Sequence, residues 1–171
     1  MFFRNSKHRK IDPYGLGAVL LITVAVTLRL ILISNGWPLT NSDEAIVGIQ
    51  ALHILHRGEL PIFQYGINYL GTLEAYLGAF FFLLFGPSTF TLRLGLVILY
   101  AGFLLALYLL ARLLYTKGVA LVALFFLCWG SRDTLFEQLT ATGGRLETPL
   151  FGALSLLLAS WLSLSFHCLL Y

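Results

Sequence analysis

Four long apolar runs, at about residues 14–34, 89–114, 117–136 and 148–170, decide what this chain can fold into. A helix rises about 1.5 Å per residue, so about 20 mostly apolar residues cross a hydrocarbon core of about 30 Å. Inside that core every backbone N–H and C=O needs a partner within the protein, and a helix supplies it from its own chain. Charged residues make up 11% of the sequence, against about 25% in soluble domains, and the mean hydropathy is +0.85. The 171 residues hold four spans and one sizeable loop, with no length left for a separate soluble domain. The expected fold class is therefore all-α: a polytopic transmembrane helical protein, one unit over residues 1–171.

Charge orients the spans. Arg4, Lys7, Arg9 and Lys10 precede the first run, and the positive-inside rule places them in the cytoplasm. The first run exceeds the roughly 7–15 apolar residues of a cleaved signal peptide and reads as a retained anchor. Arg112 and Lys117 then fall on the cytoplasmic side with Asp12, while Asp43, Glu44, Glu59, Glu74, Asp133, Glu137 and Glu147 fall on or near the outer side. Both termini are expected in the cytoplasm of an integral, multi-pass membrane protein. A fifth apolar run, Tyr69–Phe85, would reverse everything after it if it crossed. It is expected to lie along the outer interface instead. The basic residues are scattered, which excludes a nucleic-acid-binding stripe. Cys128 and Cys168 sit in apolar runs as small buried hydrophobes, with no zinc-type Cys/His spacing.

The outer loop, residues 35–88, has its own order. Gly36 and Pro38 stop the first helix, and Trp37 suits the interface. Asn41 with Glu44 three residues later forms a capping box that opens a helix over about 43–57. Asp43, Gln50, His53 and Arg57 share one arc of it, the pattern of a helix lying in the membrane surface. Gly58 ends that helix, Glu59-Leu60-Pro61 turns the chain, and a second interfacial helix runs to Gly86-Pro87. Further on, Arg132, Asp133 and Glu137 fall inside what should be the outer half of the third span. Ionisable residues at such depth face a cavity or a functional site. Gly143 to Pro149 forms the next outer turn.

Asp43 and Glu44 admit two readings. Acids in the first turn of a helix complement its dipole. A carboxylate at the mouth of the membrane can also act on a substrate carried in the lipid. The ordered pattern Asp43-Glu44, Gly58-Glu59-Leu60-Pro61, Tyr65, Tyr69, Phe85-Gly86 and Arg93 resembles the first outer loop of the C-type glycosyltransferases. These are polytopic enzymes that move a sugar from a polyprenyl-phosphate donor, among them the protein O-mannosyltransferases and the lipid A aminoarabinose transferase. Gly144 to Pro149 falls where such enzymes carry a second acidic residue. The chain departs from the aminoarabinose transferase at Tyr69-Leu70, where that enzyme has a Glu-Lys pair; Glu74 comes slightly later.

The resemblance implies roles. Asp43 would be the general base that takes the acceptor's proton, a role typically worth about 10²–10⁴-fold. Glu44 and Glu147 would position the acceptor or, with Asp43, hold a divalent cation; no other cofactor is implied. Arg93 and Arg145, with Arg29 as a further candidate, would face the lipid phosphate, and Tyr65, Tyr69 and Glu74 would line the substrate site. Snorkelling or an ion pair is the competing role for each arginine. His53 and His56 lie three residues apart, as surface histidines or a weak metal pair. The partners implied are a polyprenyl-phosphate-sugar donor, the bilayer and an acceptor the sequence does not identify. The resemblance covers roughly the first third of a family member, so the chain is expected to be an N-terminal portion, inactive alone and completed by further spans or another membrane chain. The alternative is a non-catalytic truncated membrane module that scaffolds or binds lipid-linked sugar. A small transporter fits less well, because the ionisable groups gather in the outer loops rather than at the midplane.

Overall fold

The computed structural model describes residues 12–169, with side chains through Ser165. Arg4, Lys7, Arg9 and Lys10, and the side chain of Cys168, lie outside the described part. The described residues form seven helices and no strand: α1 (Pro13–Ser34), α2 (Ser42–Arg57), α3 (Leu73–Phe85), α4 (Thr89–Leu114), α5 (Lys117–Cys128), α6 (Arg132–Leu139) and α7 (Glu147–Leu169). Helix α4 is the hub, packed against α1, α3, α5, α6 and α7, and its Leu96, Tyr100 and Leu104 lie at the centre of the core. Where α2, α3 and α4 meet, Gly78 allows the approach; a Cβ there would sit 2.5 Å from Leu92 Cδ1 and 3.2 Å from Ala51 Cβ.

Helices α1, α4 and the Glu147–Ser165 part of α7 are long and apolar enough to cross a membrane, and α5 with α6 would make a fourth crossing if the bent pair counts as one. Helix α3 has 13 residues, about 20 Å of rise, which is less than a hydrocarbon core. It begins at Leu73 rather than Tyr69, which lies in the preceding turn. Ion pairs tie one end of the bundle: Asp12 Oδ2 is 3.0 Å from both Lys117 Nζ and Arg112 Nη2. The Lys117 hydrogen bond, followed by the two cationic charges, holds the Asp12 carboxyl below its usual range despite some desolvation. The start of α1, the end of α4 and the start of α5 therefore share one end. Helix α2 meets the opposite end of α4.

The third apolar run is not one straight helix. It breaks after Cys128, and α6 leaves at 84° to α5. A break at membrane depth is tolerated where the freed carbonyls find partners in the protein. Here Tyr100 donates its hydroxyl to Leu127 O at 3.0 Å, and Arg29 donates through Nη1 to Cys128 O at 3.4 Å and Ala25 O at 3.1 Å. Arg29 is fully buried, with Nε and Nη2 at 3.1 and 2.6 Å from Gln138 Oε1 and its guanidinium 3.6 Å above the Tyr100 ring. The ring face and the negative end of the α5 dipole favour that cation. The expectation that Arg29 faces a lipid phosphate is corrected: it closes the broken helix.

Candidate functional site

Asn41 caps α2 as its sequence requires, accepting from Glu44 N at 2.9 Å. The reciprocal half of the capping box does not form, because the Glu44 carboxylate turns to Arg93. Nε and Nη2 of Arg93 donate to Oε1 and Oε2 at 2.7 and 2.6 Å, and both side chains are 1% exposed. This fork-to-fork pair joins residues 49 apart and seats the first turn of α2 on the second turn of α4. One residue earlier, Asp43 is exposed and makes no hydrogen bond or ion pair among the described residues. Adjacent acids thus receive different environments: one is structural, the other open.

The buried face of α2 is Glu44, Val47, Gln50 and Ala51. Gln50 is therefore not part of a solvent arc, as its place on the wheel suggested. Its Nε2 donates to Phe63 O at 2.9 Å and fastens the following loop. Tyr65 is tied into the same loop. Its hydroxyl donates to Glu59, and His53 Nδ1 lies 3.1 Å from that hydroxyl, placed to donate to it. The Tyr65 hydrogen bond, reinforced by the nearby His53 and Arg57, lowers the Glu59 carboxyl; the same bond raises the Tyr65 hydroxyl. Tyr69 is 83% exposed at the turn before α3, and His56 is exposed on α2.

Three glutamates from three helix starts converge on the loop between α6 and α7. Glu44 of α2 accepts from Ala141 N at 3.4 Å, Glu74 of α3 from Gly143 N at 2.9 Å, and Glu147 of α7 from Gly144 N at 2.6 Å. The loop can pass between them because Gly143 has a φ of +81°, and a Cβ there would stand 2.6 Å from Gln64 Oε1. All three glutamates are buried. Burial pushes the Glu74 carboxyl up to about 8, with the nearby Glu147 adding to the rise and the Gly143 N–H opposing it. Around this point Glu74 Oε1, Glu147 Oε1, Thr142 Oγ1 and both amide atoms of Gln64 are buried without a partner among the described residues. A Glu74 that keeps its proton near neutrality adds a donor to this mixed set, in which Gln64 Nε2 donates, the Thr142 hydroxyl can do either and the remaining oxygens accept.

Apart from Tyr65, which is half-buried in the loop after α2, the predicted residues separate into two groups. Glu44, Arg93, Glu74 and Glu147 form a buried frame in which both Glu44 oxygens are held by Arg93. Asp43, Tyr69 and Arg145 face outward. Arg145 Nη1 pairs with Glu137 Oε1 at 2.8 Å on the wall of a cavity of about 350 Å³. A divalent cation does not fit the Asp43–Glu44 pair, since both Glu44 oxygens are held by a guanidinium. Among the described residues no group of three His, Cys, Asp or Glu is arranged to hold a metal. Gln64, Thr142 and Gln138 were not singled out as functional by sequence. The available signals were the Gly143-Gly144 pair, which allows a tight buried turn, and the lone Arg29 in an apolar span. Comparison of the chain with protein-family models, curated proteins and solved structures finds no match, so the case for a function rests on the site's own residues.

Proposed function

We propose that this chain is the membrane-embedded N-terminal part of a C-type glycosyltransferase, with Asp43 as the base that activates an acceptor hydroxyl. The observation that carries the reading is the split between Glu44 and Asp43. The buried Glu44–Arg93 pair fixes the first turn of α2, and that fixed turn presents Asp43 at the surface. In the reaction the acceptor oxygen attacks the anomeric carbon of the lipid-linked sugar and its proton passes to the Asp43 carboxylate. The carbon–phosphate-oxygen bond breaks with inversion, and the lipid phosphate leaves.

The test is Asp43→Asn in the longer enzyme that carries this loop. The amide keeps the size and some capping ability but takes no proton, so transfer should fall by at least about 100-fold with membrane insertion unchanged. Retained transfer in Asp43→Asn would remove the base from this position. A non-catalytic module that binds lipid-linked sugar is the second reading. It is favoured by one observation: among the described residues Asp43 has no hydrogen-bond partner to orient it. In that case the donor lipid would bind and no preparation, full-length included, would turn it over.

In this reading the bundle crosses the bilayer four times, α2 and α3 lie along the outer interface, and both termini are cytoplasmic. Single cysteines test the sidedness in a background lacking Cys128 and Cys168. A cysteine at the exposed Asn68 should react with an impermeant thiol reagent from outside, and one at the exposed Thr116 only after permeabilisation. Labelling of Thr116 from outside would invert the topology and remove Asp43 from the outer face.

A further inference from the structure

The cavity beside α6 is a mixed-charge pocket whose chemistry goes beyond Asp43. Its α6 wall carries Asp133, Thr134, Glu137 and Gln138, and the facing walls contribute Arg145 and the ring of Phe103. The break after Cys128 is what turns this short helix across the bundle and gives its polar face a cavity to line. At about 350 Å³ the space suits a single small ring rather than a chain.

The lining chooses among ligands. An anion such as phosphate would meet two carboxylates and a guanidinium already held at 2.8 Å by Glu137. A free ammonium would share the pocket with that same guanidinium. A hydroxyl both donates and accepts, and the walls offer both complements. Asp133 and Glu137 accept, while Arg145 has further N–H groups beyond the one on Glu137. Gln138 adds a donor, because its Oε1 is occupied twice by Arg29 and only Nε2 is left to offer. Phe103 provides an apolar face for the C–H side of a ring. We propose that this pocket binds a neutral, hydroxyl-rich ring of monosaccharide size. The inference rests on the transferase reading only for taking that ring to be a sugar.

The experiment measures equilibrium binding of a panel of methyl hexosides to the chain in phospholipid nanodiscs, free of glycoside detergents that would compete. Inorganic phosphate and ethylamine are titrated in parallel. At least one methyl hexoside should bind saturably, and Asp133→Asn or Glu137→Gln should weaken it by about 10-fold or more, since hydrogen bonds to charged groups are lost. Both side chains are exposed, so an unchanged unfolding midpoint in the variants separates lost contacts from lost fold. Saturable binding of phosphate or ethylamine in place of every hexoside would overturn the proposal, as would hexoside binding indifferent to both substitutions or no binding at all. Binding and turnover fail separately: hexoside binding with no transfer in the longer enzyme sinks the transferase reading and leaves the pocket, whereas transfer with no hexoside binding here does the reverse.

Discussion

Glu44→Gln and Arg93→Met should each destabilise the protein by about 3–5 kcal/mol, and the double variant should recover most of that loss. Both charges are almost wholly out of solvent, so either alone is left in a medium that solvates it poorly. Arg93→Met strands a carboxylate whose remaining contact is the Ala141 N–H at 3.4 Å. Glu44→Gln strands a guanidinium that has lost its ionised acceptor. With both replaced, no buried charge remains, and the packing of α2 on α4 is largely kept. The measurement is reversible unfolding in mixed micelles for the four members of the cycle. A double variant that loses the sum of the two single losses would mean that the pair is not coupled. Because this pair seats the turn that carries Asp43, the proposed transferase reading expects the single variants to lower transfer as well and the double variant to restore part of it.

Stability should also fall as pH rises from about 4.5 to 8, and Glu74→Gln should lessen that fall. The Glu74 carboxyl has an ordinary value of 4.5 and is pushed up to about 8 by burial in the folded chain. Below 4.5 the group is protonated in both states, and its contribution to stability is fully present. Between 4.5 and 8 the unfolded chain gives up the proton while the folded chain keeps it, so stability declines. Above 8 the loss is complete, on the order of 5 kcal/mol. Glu147, Arg145 and Glu44 face the same carboxyl: the two glutamates raise it and Arg145 lowers it. The opposing Gly143 N–H would still find an acceptor in Gln, so Glu74→Gln should match the native chain at pH 5 and exceed it at pH 9. Unfolding midpoints across that range decide the matter. A pH dependence that Glu74→Gln leaves unchanged would show that Glu74 is ionised in the fold.

Much of the local architecture was legible in the sequence. Asn41 opens α2, Gly58 and Gly86 end α2 and α3, and the apolar runs mark α1, α4 and α7 within a residue or two. These features are local, set by side chains within a turn of the backbone they cap or by the apolar length a span requires. The grouping of Asp12 with Arg112 and Lys117 followed from charge sidedness alone, and the ion pairs at that end agree with it.

What the tertiary structure decided was the fate of each polar side chain in the site. Asp43 and Glu44 are neighbours in one helical turn, and nothing in their spacing says which one meets Arg93. Gln50 shares an arc with Asp43 and His53, yet the loop carbonyl of Phe63 draws it inward. Glu44 read as a helix-start acid, Glu74 as part of the second apolar run and Glu147 as part of an outer turn; their convergence on Ala141, Gly143 and Gly144 appears only once three helix starts are packed together. The break after Cys128 belongs to the same class, because its carbonyls are closed by Tyr100 and by Arg29, which is 99 residues away. A buried charge takes the partner that minimises its loss of hydration. That partner is set by proximity in the packed bundle, which residue order along the chain does not encode.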